Sequence, residues 1–456
     1  MFWKREDFKM KKKLLAFVLA TVMVMSLTAC GTSTSKKVDT TSTEADSTPT
    51  DTATTDTSTT DTTSSTDKIT VAIWDTNQQA GLQEIMDDWS AESGIKAEIQ
   101  VISWNEYWTL LEAGASGGSL PDVFWMHSNQ AQKYMENGLL LDLTDKIAAS
   151  DKIDMANYYP DIVSLYNSDG KQYAMPKDID TIGLWYNKTM FDDAGLAYPD
   201  DTWTWETLYE TAKKLTKADG SQYGYAANTS NNQDSFYNAI YAYGGSVISE
   251  DKKTSGFDDP NTIKAMQVYE KMLLEGIIPD LQTLSENGTE VLFESGKVAM
   301  ITQGSWMVPA FRDNEYTSAN CDVAVLPTGP DGTRVSLYNG LGWAASAAGK
   351  NTDAAWSLIE YLSTEAAQLK QAELGITMSA FEGKSEDWKN AVTGFNLQAY
   401  VDMLDATLIF RPYSRSTTTW EDMITEELKA AWTGDATMED TCKKIATSMN
   451  ATLAEE

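Results

Sequence analysis

The chain has 456 residues, of which 42% are hydrophobic, and it carries a formal net charge of −32. This strong negative charge argues against nucleic acid and anionic surfaces as partners. The sequence contains one histidine and three cysteines, and no CxxC spacing occurs, so it signals neither a zinc site nor a disulfide framework. No motif requires a metal or a cofactor, and we expect none.

The first 29 residues predict a signal peptide. Three lysines at positions 11–13 precede an apolar run at 14–27, which is shorter than the roughly 20 residues that a membrane-spanning helix needs. Met10 is an alternative start to Met1, because the first nine residues contain two acids. The run ends in Leu-Thr-Ala-Cys-Gly, which resembles a bacterial lipobox with Cys30 as the acylated residue. Acyl chains on Cys30 would anchor the protein to the outer face of the cell membrane. The alternative is cleavage after Ala29 without lipidation.

Residues 30–67 predict a linker. After Cys30 and Gly31 they are nearly all Thr, Ser, Asp and Ala, and they have no apolar periodicity. Such a composition buries too little apolar surface to offset the entropy of ordering, so we expect a flexible tether.

The rest of the chain is too long for one hydrophobic core and predicts two domains. Apolar stretches at 69–75, 97–102 and 120–126 read as strands, and amphipathic stretches at 79–93 and 104–115 read as the helices between them. This alternation favours a parallel sheet with right-handed crossovers. Ligands bind beyond the carboxyl ends of strands in such sheets, which draws attention to Trp74 and Asp75.

Further elements follow along the chain. We predict strands at 182–186, 298–302 and 322–326 and helices at 130–137, 187–195, 205–218, 235–243, 261–275, 352–363 and 438–453. Proline-marked turns at 173–176 and 327–330 are predicted to carry the chain between the two domains. Cys321 and Cys442 are expected to remain unpaired.

Several stretches together resemble a known family. They are ITVAIWD, SLPDVFWMHSNQAQKYMENGLLLDLTD, YAMPKDIDTIGLWYNKTMFDDAGL, FESGKVAMITQGSW, AVLPTGPDG and NGLGWAAS, in this order. The chain resembles family 1 of the extracellular solute-binding proteins, the sugar-binding lipoproteins of bacterial ABC importers. The resemblance implies an α/β, two-lobed periplasmic-binding-protein-like fold (type II) with the ligand cleft between the lobes. The first lobe would comprise residues 68–180 and 330–381, and the second 181–327 and 382–456.

The resemblance also implies a function and partners. The protein would bind a mono- or oligosaccharide without chemistry and deliver it to the membrane subunits of an ABC permease. We expect a monomer. Two alternatives stay open: a secreted glycoside hydrolase, for which Asp178 and Asp180 are a candidate carboxylate pair, and a peptide-binding or cell-wall-binding lipoprotein.

A sugar needs aromatic rings for its C–H face and polar side chains for its hydroxyls. Trp306 is the leading candidate, because it follows a strand in a Gly-Ser-Trp loop. The other candidates are Trp74, Asp75, Trp125, His127, Asp178, Asp180, Asn339, Gly340 and Arg411, with Asn232 and Gln233 as weaker ones. Structural alternatives are a core position for Trp306, a helix cap for Asp75, a structural histidine for His127 and an ion pair for Arg411.

Overall fold

The computed structural model describes residues 67–229 and 232–456. The predicted signal peptide, the acylation site at Cys30 and the linker up to Thr66 lie outside the described residues. Among the residues that are described, no helix has the length and apolar character needed to cross a membrane.

Fourteen strands occur in the described ranges. They are β1 Lys68–Ile73, β2 Lys96–Val101, β3 Val123–Met126, β4 Asn167–Ser168, β5 Lys171–Gln172, β6 Ala174–Pro176, β7 Asp178–Ile179, β8 Ile182–Asn187, β9 Met300–Gly304, β10 Cys321–Ala324, β11 Val335–Tyr338, β12 Gly342–Ala345, β13 Met378–Ser379 and β14 Thr407–Phe410.

The α-helices of the same ranges are α1 Thr76–Ser93, α2 Trp104–Gly117, α3 Ser128–Glu136, α4 Thr144–Ala149, α5 Pro160–Leu165, α6 Lys188–Ala194, α7 Trp205–Leu215, α8 Phe236–Ala242, α9 Pro260–Leu274, α10 Leu281–Asn287, α11 Thr289–Glu294, α12 Val308–Asp313, α13 Glu315–Asn320, α14 Thr352–Leu362, α15 Glu365–Glu373, α16 Glu386–Ala391, α17 Gln398–Asp402, α18 Thr417–Trp432 and α19 Met438–Leu453. Short 3₁₀ helices occupy Met155–Asn157 and Ser305–Met307.

The first lobe is built on a five-stranded sheet in the order β2-β1-β3-β12-β6. Strands β2, β1 and β3 are parallel, as the alternation of strands and helices predicts, whereas β12 runs antiparallel to both β3 and β6. Helix α1 begins at its N-cap Asp75 and ends at Gly94, whose φ of +74° suits a glycine. Because β1 and β3 are parallel, their carboxyl ends lie at the same edge of the sheet. Trp74 and His127 directly follow these two ends.

The second lobe is built on a three-stranded antiparallel sheet in the order β10-β8-β9. All six residues of the central strand β8 are buried. Tyr400, on α17, covers this sheet, and its hydroxyl accepts a hydrogen bond from Trp185 Nε1 and donates one to the Gln303 carbonyl. The two sheets place the molecule in the mixed helix-and-sheet, two-lobed class that the sequence predicts.

The segments between the lobes correct one prediction. The turn at 327–330 is not a crossing, because Thr328 exchanges backbone hydrogen bonds with Trp203 and Trp205 of the second lobe. The chain returns instead through β11 and the following loop, where Asp180 N donates to the Asn339 carbonyl at 3.0 Å. A glycine-and-proline turn is thus a local feature here. The exact lobe boundaries remain a prediction.

Candidate ligand-binding site

A cavity of about 760 Å³ lies between the two lobes. Its volume falls within the roughly 300–1,000 Å³ that is typical of small-molecule sites. Its walls combine tryptophans, carboxylates, amides and one guanidinium. Seven predicted residues line it: Trp74, Asp75, His127, Asp178, Asp180, Trp306 and Arg411.

An aromatic cluster forms the first-lobe wall. Trp74, at the end of β1, meets Trp104 edge to face with ring centroids 5.0 Å apart, and its centroid lies 5.9 Å from that of Trp108. Trp104 and Trp108 are one helical turn apart on α2, and their centroids are 5.5 Å apart. Trp104 remains 39% exposed, so its ring offers free surface to a ligand at the cavity.

Trp306 supplies an aromatic ring from the second lobe. It lies in the 3₁₀ turn directly after β9 and is half-buried. The ring packs on Gly304, since a β-carbon at that glycine would fall 2.0 Å from Trp306 Cζ3. No other residue type leaves this space, so the glycine of the Gly-Ser-Trp sequence holds the tryptophan in its position.

A buried lysine organises the carboxylates of the first lobe. Lys177 is fully buried, and its Nζ donates to Asp178 Oδ2 at 2.7 Å and to Gln78 Oε1 at 2.9 Å. Gln78 Nε2 donates in turn to Asp75 Oδ2 at 2.9 Å. Asp178 Oδ1 accepts from the backbone N–H of Leu341 at 2.8 Å. Both oxygens of Asp178 are thus engaged, although the residue lines the cavity.

Asp75 has a structural role in addition to its position on the wall. Its Oδ1 accepts from the backbone N–H of Asn77 at 2.8 Å and caps α1. The helix-cap alternative is therefore correct for this oxygen, and Oδ2 is shared with Gln78.

Asp180 joins the crossing segments to the second lobe. Its Oδ1 accepts from Gln233 Nε2 at 2.7 Å and from the backbone N–H of Asn339 at 3.0 Å. Burial, followed by the charge of Asp178, raises the pKa of Asp180 well above its ordinary value.

His127 caps α3 and faces the second crossing. Its Nδ1 lies 2.9 Å from the side-chain oxygen of Asn129 and 3.3 Å from the backbone nitrogen of the same residue, and its Nε2 lies 3.1 Å from the side-chain amide nitrogen of Asn339. Burial lowers the pKa of His127 to about 3, and the nearby Arg411 charge adds to this effect. The imidazole is accordingly neutral at physiological pH.

Arg411 is a buried cation with unused donors. It follows β14, is 4% exposed, and its Nη2 bonds both carboxylate oxygens of Glu421, at 2.8 and 2.9 Å. Burial raises the pKa of Glu421, and the Arg411 charge opposes this rise. Within the described ranges, Arg411 Nε and Nη1 have no hydrogen-bond partner. Both nitrogens are buried behind the cavity wall, so they would reach a ligand oxygen only after the side chain moved.

Three of the ten main candidates do not line the cavity, and neither does Asn232, one of the two weaker ones. Trp125 is 0% exposed and lies beneath Trp74, with ring centroids 4.8 Å apart and Lys177 Nζ 4.9 Å from its ring centroid. Its prediction as a sugar platform is therefore wrong, because β3 is covered on both faces. Asn339 supports Asp180 and His127, as described above. Gly340 packs on the backbone of the first crossing, since a β-carbon there would lie 2.4 Å from the Asp178 carbonyl oxygen.

Further wall residues come from helices. Trp104, Trp108 and Glu112 lie on α2, and Thr418, Glu421, Asp422 and Thr425 lie on α18. Their spacing of three or four residues places each set on one helix face. Gln233, a weaker candidate in the sequence, also lines the cavity.

The complete wall suits a ligand with both apolar faces and many hydroxyl groups. Rings from opposite lobes offer stacking surfaces, and carboxylates, amides and the guanidinium offer acceptors and donors. The described residues contain no group of three or more His, Cys, Asp or Glu side chains that could hold a metal ion.

Comparisons with known proteins agree with this geometry. Residues 74–369 match the family described as bacterial extracellular solute-binding protein. The chain is 25% identical to the galactooligosaccharide-binding protein of Bacillus subtilis over 372 residues, which cover 78% of each protein. It is 24% identical to a maltooligosaccharide ABC transporter solute-binding lipoprotein of Streptococcus pneumoniae, over 84% of this chain and 86% of the relative.

A solved structure shows the same fold. An ABC substrate-binding protein of Listeria monocytogenes, in complex with cycloalternan, superposes with a TM-score of 0.79 and 25% identity. The match covers 85% of this chain and 99% of the Listeria chain. The family match, the two-lobed fold and the cavity between the lobes lead to one conclusion: this chain belongs to the bacterial extracellular solute-binding proteins.

Proposed function

We propose that the protein captures a mono- or oligosaccharide in the cavity between its lobes and delivers it to the membrane subunits of an ABC importer. One observation carries this proposal above all others. Trp104 on the first lobe and Trp306 on the second line the same cavity, so a single ligand would touch aromatic rings from both sides. The names of relatives that bind galacto- and maltooligosaccharides support the same class of ligand.

The energetics require several groups to act together. Burying about 60 Å² of sugar face at about 25 cal/mol/Å² contributes ~1.5 kcal/mol. Two stacked faces therefore contribute ~3 kcal/mol, whereas a micromolar dissociation constant corresponds to about 8 kcal/mol. Hydrogen bonds to Arg411, Asp180 and the wall amides would supply the remainder.

Binding without chemistry is part of the proposal. A glycoside hydrolase needs two carboxyl groups that flank the scissile bond, one as an acid and the other as a base or nucleophile. The two carboxylate oxygens of Asp178 accept hydrogen bonds from Lys177 and from the backbone N–H of Leu341, and Asp180 Oδ1 already accepts two hydrogen bonds. These engagements favour a structural role at the crossing over a catalytic pair.

The remaining assignments extend the proposal to the cell surface. Acylation of Cys30 would hold the exported protein on the outer face of the membrane as a monomer. The linker would let the two lobes move away from the membrane surface and encounter solute. Sugar binding would favour a closed arrangement of the lobes, which the permease would recognise.

A binding assay with product analysis tests the proposal. Purified protein is incubated with labelled mono-, di- and oligosaccharides, and the sugars are recovered and analysed by mass. We expect saturable binding of an intact sugar and a smaller radius of gyration in solution scattering. Release of shortened sugars would show that the protein is a hydrolase and not a binding protein. Absence of binding to any saccharide would reject the proposal that the ligand is a carbohydrate.

A further inference from the structure

The two lobes touch at two places besides the segments that cross between them. Helix α1 of the first lobe contacts α12 of the second, and α3 of the first lobe contacts α18 of the second. All four helices lie next to the cavity: Gln78 is on α1, Trp306 lies in the turn before α12, Gln130 is on α3 and Thr418 is on α18. Contacts beside the cavity bring its opposite walls together, so the structure represents a closed arrangement of the lobes.

An ion pair joins the lobes where α3 meets α18. Arg415 lies two residues before α18, and its Nε is 2.9 Å from Oε1 and 2.7 Å from Oε2 of Glu136, the last residue of α3. Neither residue lines the cavity. The other ion pairs of the described ranges join residues of one predicted lobe or lie beside a predicted lobe boundary, as Lys384 and Glu365 do. The Arg415–Glu136 pair therefore connects the lobes without touching a ligand.

The backbone that carries Arg415 is fixed within the second lobe by Glu456, three residues after α19. Glu456 Oε1 accepts from Ser414 Oγ at 2.6 Å and from the backbone N–H of Ser416 at 2.8 Å. Its Oε2 accepts from the backbone N–H of Arg415 at 3.2 Å, and Arg415 Nη1 donates to the backbone oxygen of Glu456 at 3.2 Å. An arginine held in this way loses less conformational freedom on pairing with Glu136 than a mobile one would.

The loop at 411–416 links the cavity wall to this ion pair. Arg411, at its start, lines the cavity and is paired with Glu421. Tyr413 follows two residues later, and Lys252 Nζ lies 3.3 Å from the centroid of its ring. Arg411 and Arg415 are thus four residues apart on one anchored segment, so the closed arrangement places one at the ligand and the other at the first lobe.

We propose that Arg415 and Glu136 form a latch that holds the lobes closed over a bound solute and slows its release. This inference rests on the proposed function and adds to it two residues that act on the lobes and not on the ligand. Because α3 and α18 belong to different lobes, opening the cavity moves them apart and separates the two charges. The pair therefore stabilises the closed arrangement alone. The effect is modest, because both partners are partly exposed to water.

The test compares sugar release in a double-mutant cycle. Glu136→Gln, Arg415→Gln and the double variant are prepared in the full chain, and the dissociation rate of the sugar identified by screening is measured by stopped-flow fluorescence. Glu439→Gln and Lys443→Gln serve as matched controls, because they break an exposed ion pair that joins two residues of α19. Rates are recorded at about 10 mM and at about 500 mM salt, where the screening lengths differ severalfold.

We expect Glu136→Gln and Arg415→Gln each to raise the dissociation rate about two- to fivefold, as the loss of one exposed ion pair allows, with the association rate nearly unchanged. The double variant should release the sugar no faster than the faster single variant, and the two controls should match the wild type. At high salt the difference between wild type and variants should shrink, because salt already weakens the pair in the wild type.

Unchanged dissociation rates, effects that multiply in the double variant, or equal increases in the α19 controls would overturn the latch and leave the proposed function standing. Slower release from Glu136→Gln would also overturn it, since the pair would then favour the open arrangement. If no saccharide binds the wild type, the proposed function fails and the latch fails with it.

Discussion

The indole ring of Trp306 packs on Gly304 so closely that a β-carbon at the glycine would lie 2.0 Å from ring atom Cζ3. Gly304→Ala must therefore displace the ring from the cavity wall. We expect this substitution to weaken sugar binding about tenfold, because loss of one stacked face costs ~1.5 kcal/mol. Calorimetry with the sugar identified by screening measures the effect.

A double-mutant cycle separates this mechanism from general damage to β9. If Gly304→Ala acts through the ring, the Gly304→Ala/Trp306→Ala protein should bind no more weakly than Trp306→Ala alone. Additive losses would show that the alanine disturbs the site by another route.

Lys177 and Asp178 form a buried ion pair at the first crossing, with Nζ and Oδ2 2.7 Å apart. Lys177→Met leaves the Asp178 carboxylate buried without its partner, so we expect the free energy of unfolding to fall by about 3–5 kcal/mol. Asp178→Asn should be similarly harmful, since it leaves the lysine charge unpaired. Denaturant titrations of the two single variants and of the Lys177→Met/Asp178→Asn protein test the coupling. A double variant that is as unstable as the sum of the single losses would contradict it.

We expect the stability of the folded protein to decrease in mild acid because of His127, which is the single histidine of the chain. Its pKa is about 3 in the folded protein, against an ordinary value of 6.5. The unfolded chain takes up a proton below pH 6.5 and the folded chain does not, so stability falls as the pH drops. Between pH 6.5 and pH 5 the loss should be on the order of 2 kcal/mol.

His127→Asn removes the titrating ring and keeps a side chain that caps a helix well. Melting curves from pH 7 to pH 5 should therefore be flatter for this variant than for the wild type. Parallel curves for the two proteins would mean that His127 titrates normally in the folded state.

The proposed lipid anchor has its own test. Cys30→Ala should abolish incorporation of labelled fatty acid and release the protein from the cell surface into the medium. Ser26→Ala, which leaves the lipobox cysteine in place, serves as the control. Continued labelling of the Cys30→Ala protein would refute the assignment of Cys30.

The sequence predicts those residues of the cavity wall that follow strands. Trp74 and Trp306 come directly after β1 and β9, and the ends of strands can be read from the end of an apolar run. The family and the fold class were also predicted and are confirmed. The prediction that Trp125 contacts the ligand is wrong, because a run of apolar residues does not reveal whether both faces of a strand are covered. Every side chain of β3 is buried.

The wall residues on helices were missed for a different reason. Trp104 and Trp108, four residues apart, look like the core-facing stripe of an ordinary amphipathic helix. Helix α18 was not predicted, because it begins with three threonines, which have modest helix propensity. The pairing of Arg411 with Glu421 depends on how a loop and a helix meet, and no local pattern encodes that.

The most direct test of the central claim asks whether one sugar touches both lobes. Trp104→Ala and Trp306→Ala each remove one ring, from α2 and from the turn after β9, and the two side chains are only partly buried. Affinity for the same sugar is measured by calorimetry, and unliganded melting temperatures serve as the control for folding. We expect each variant to lose at least about tenfold in affinity while its melting temperature stays nearly unchanged. If either variant bound the sugar as tightly as the wild type, the ligand would not be held between the two lobes.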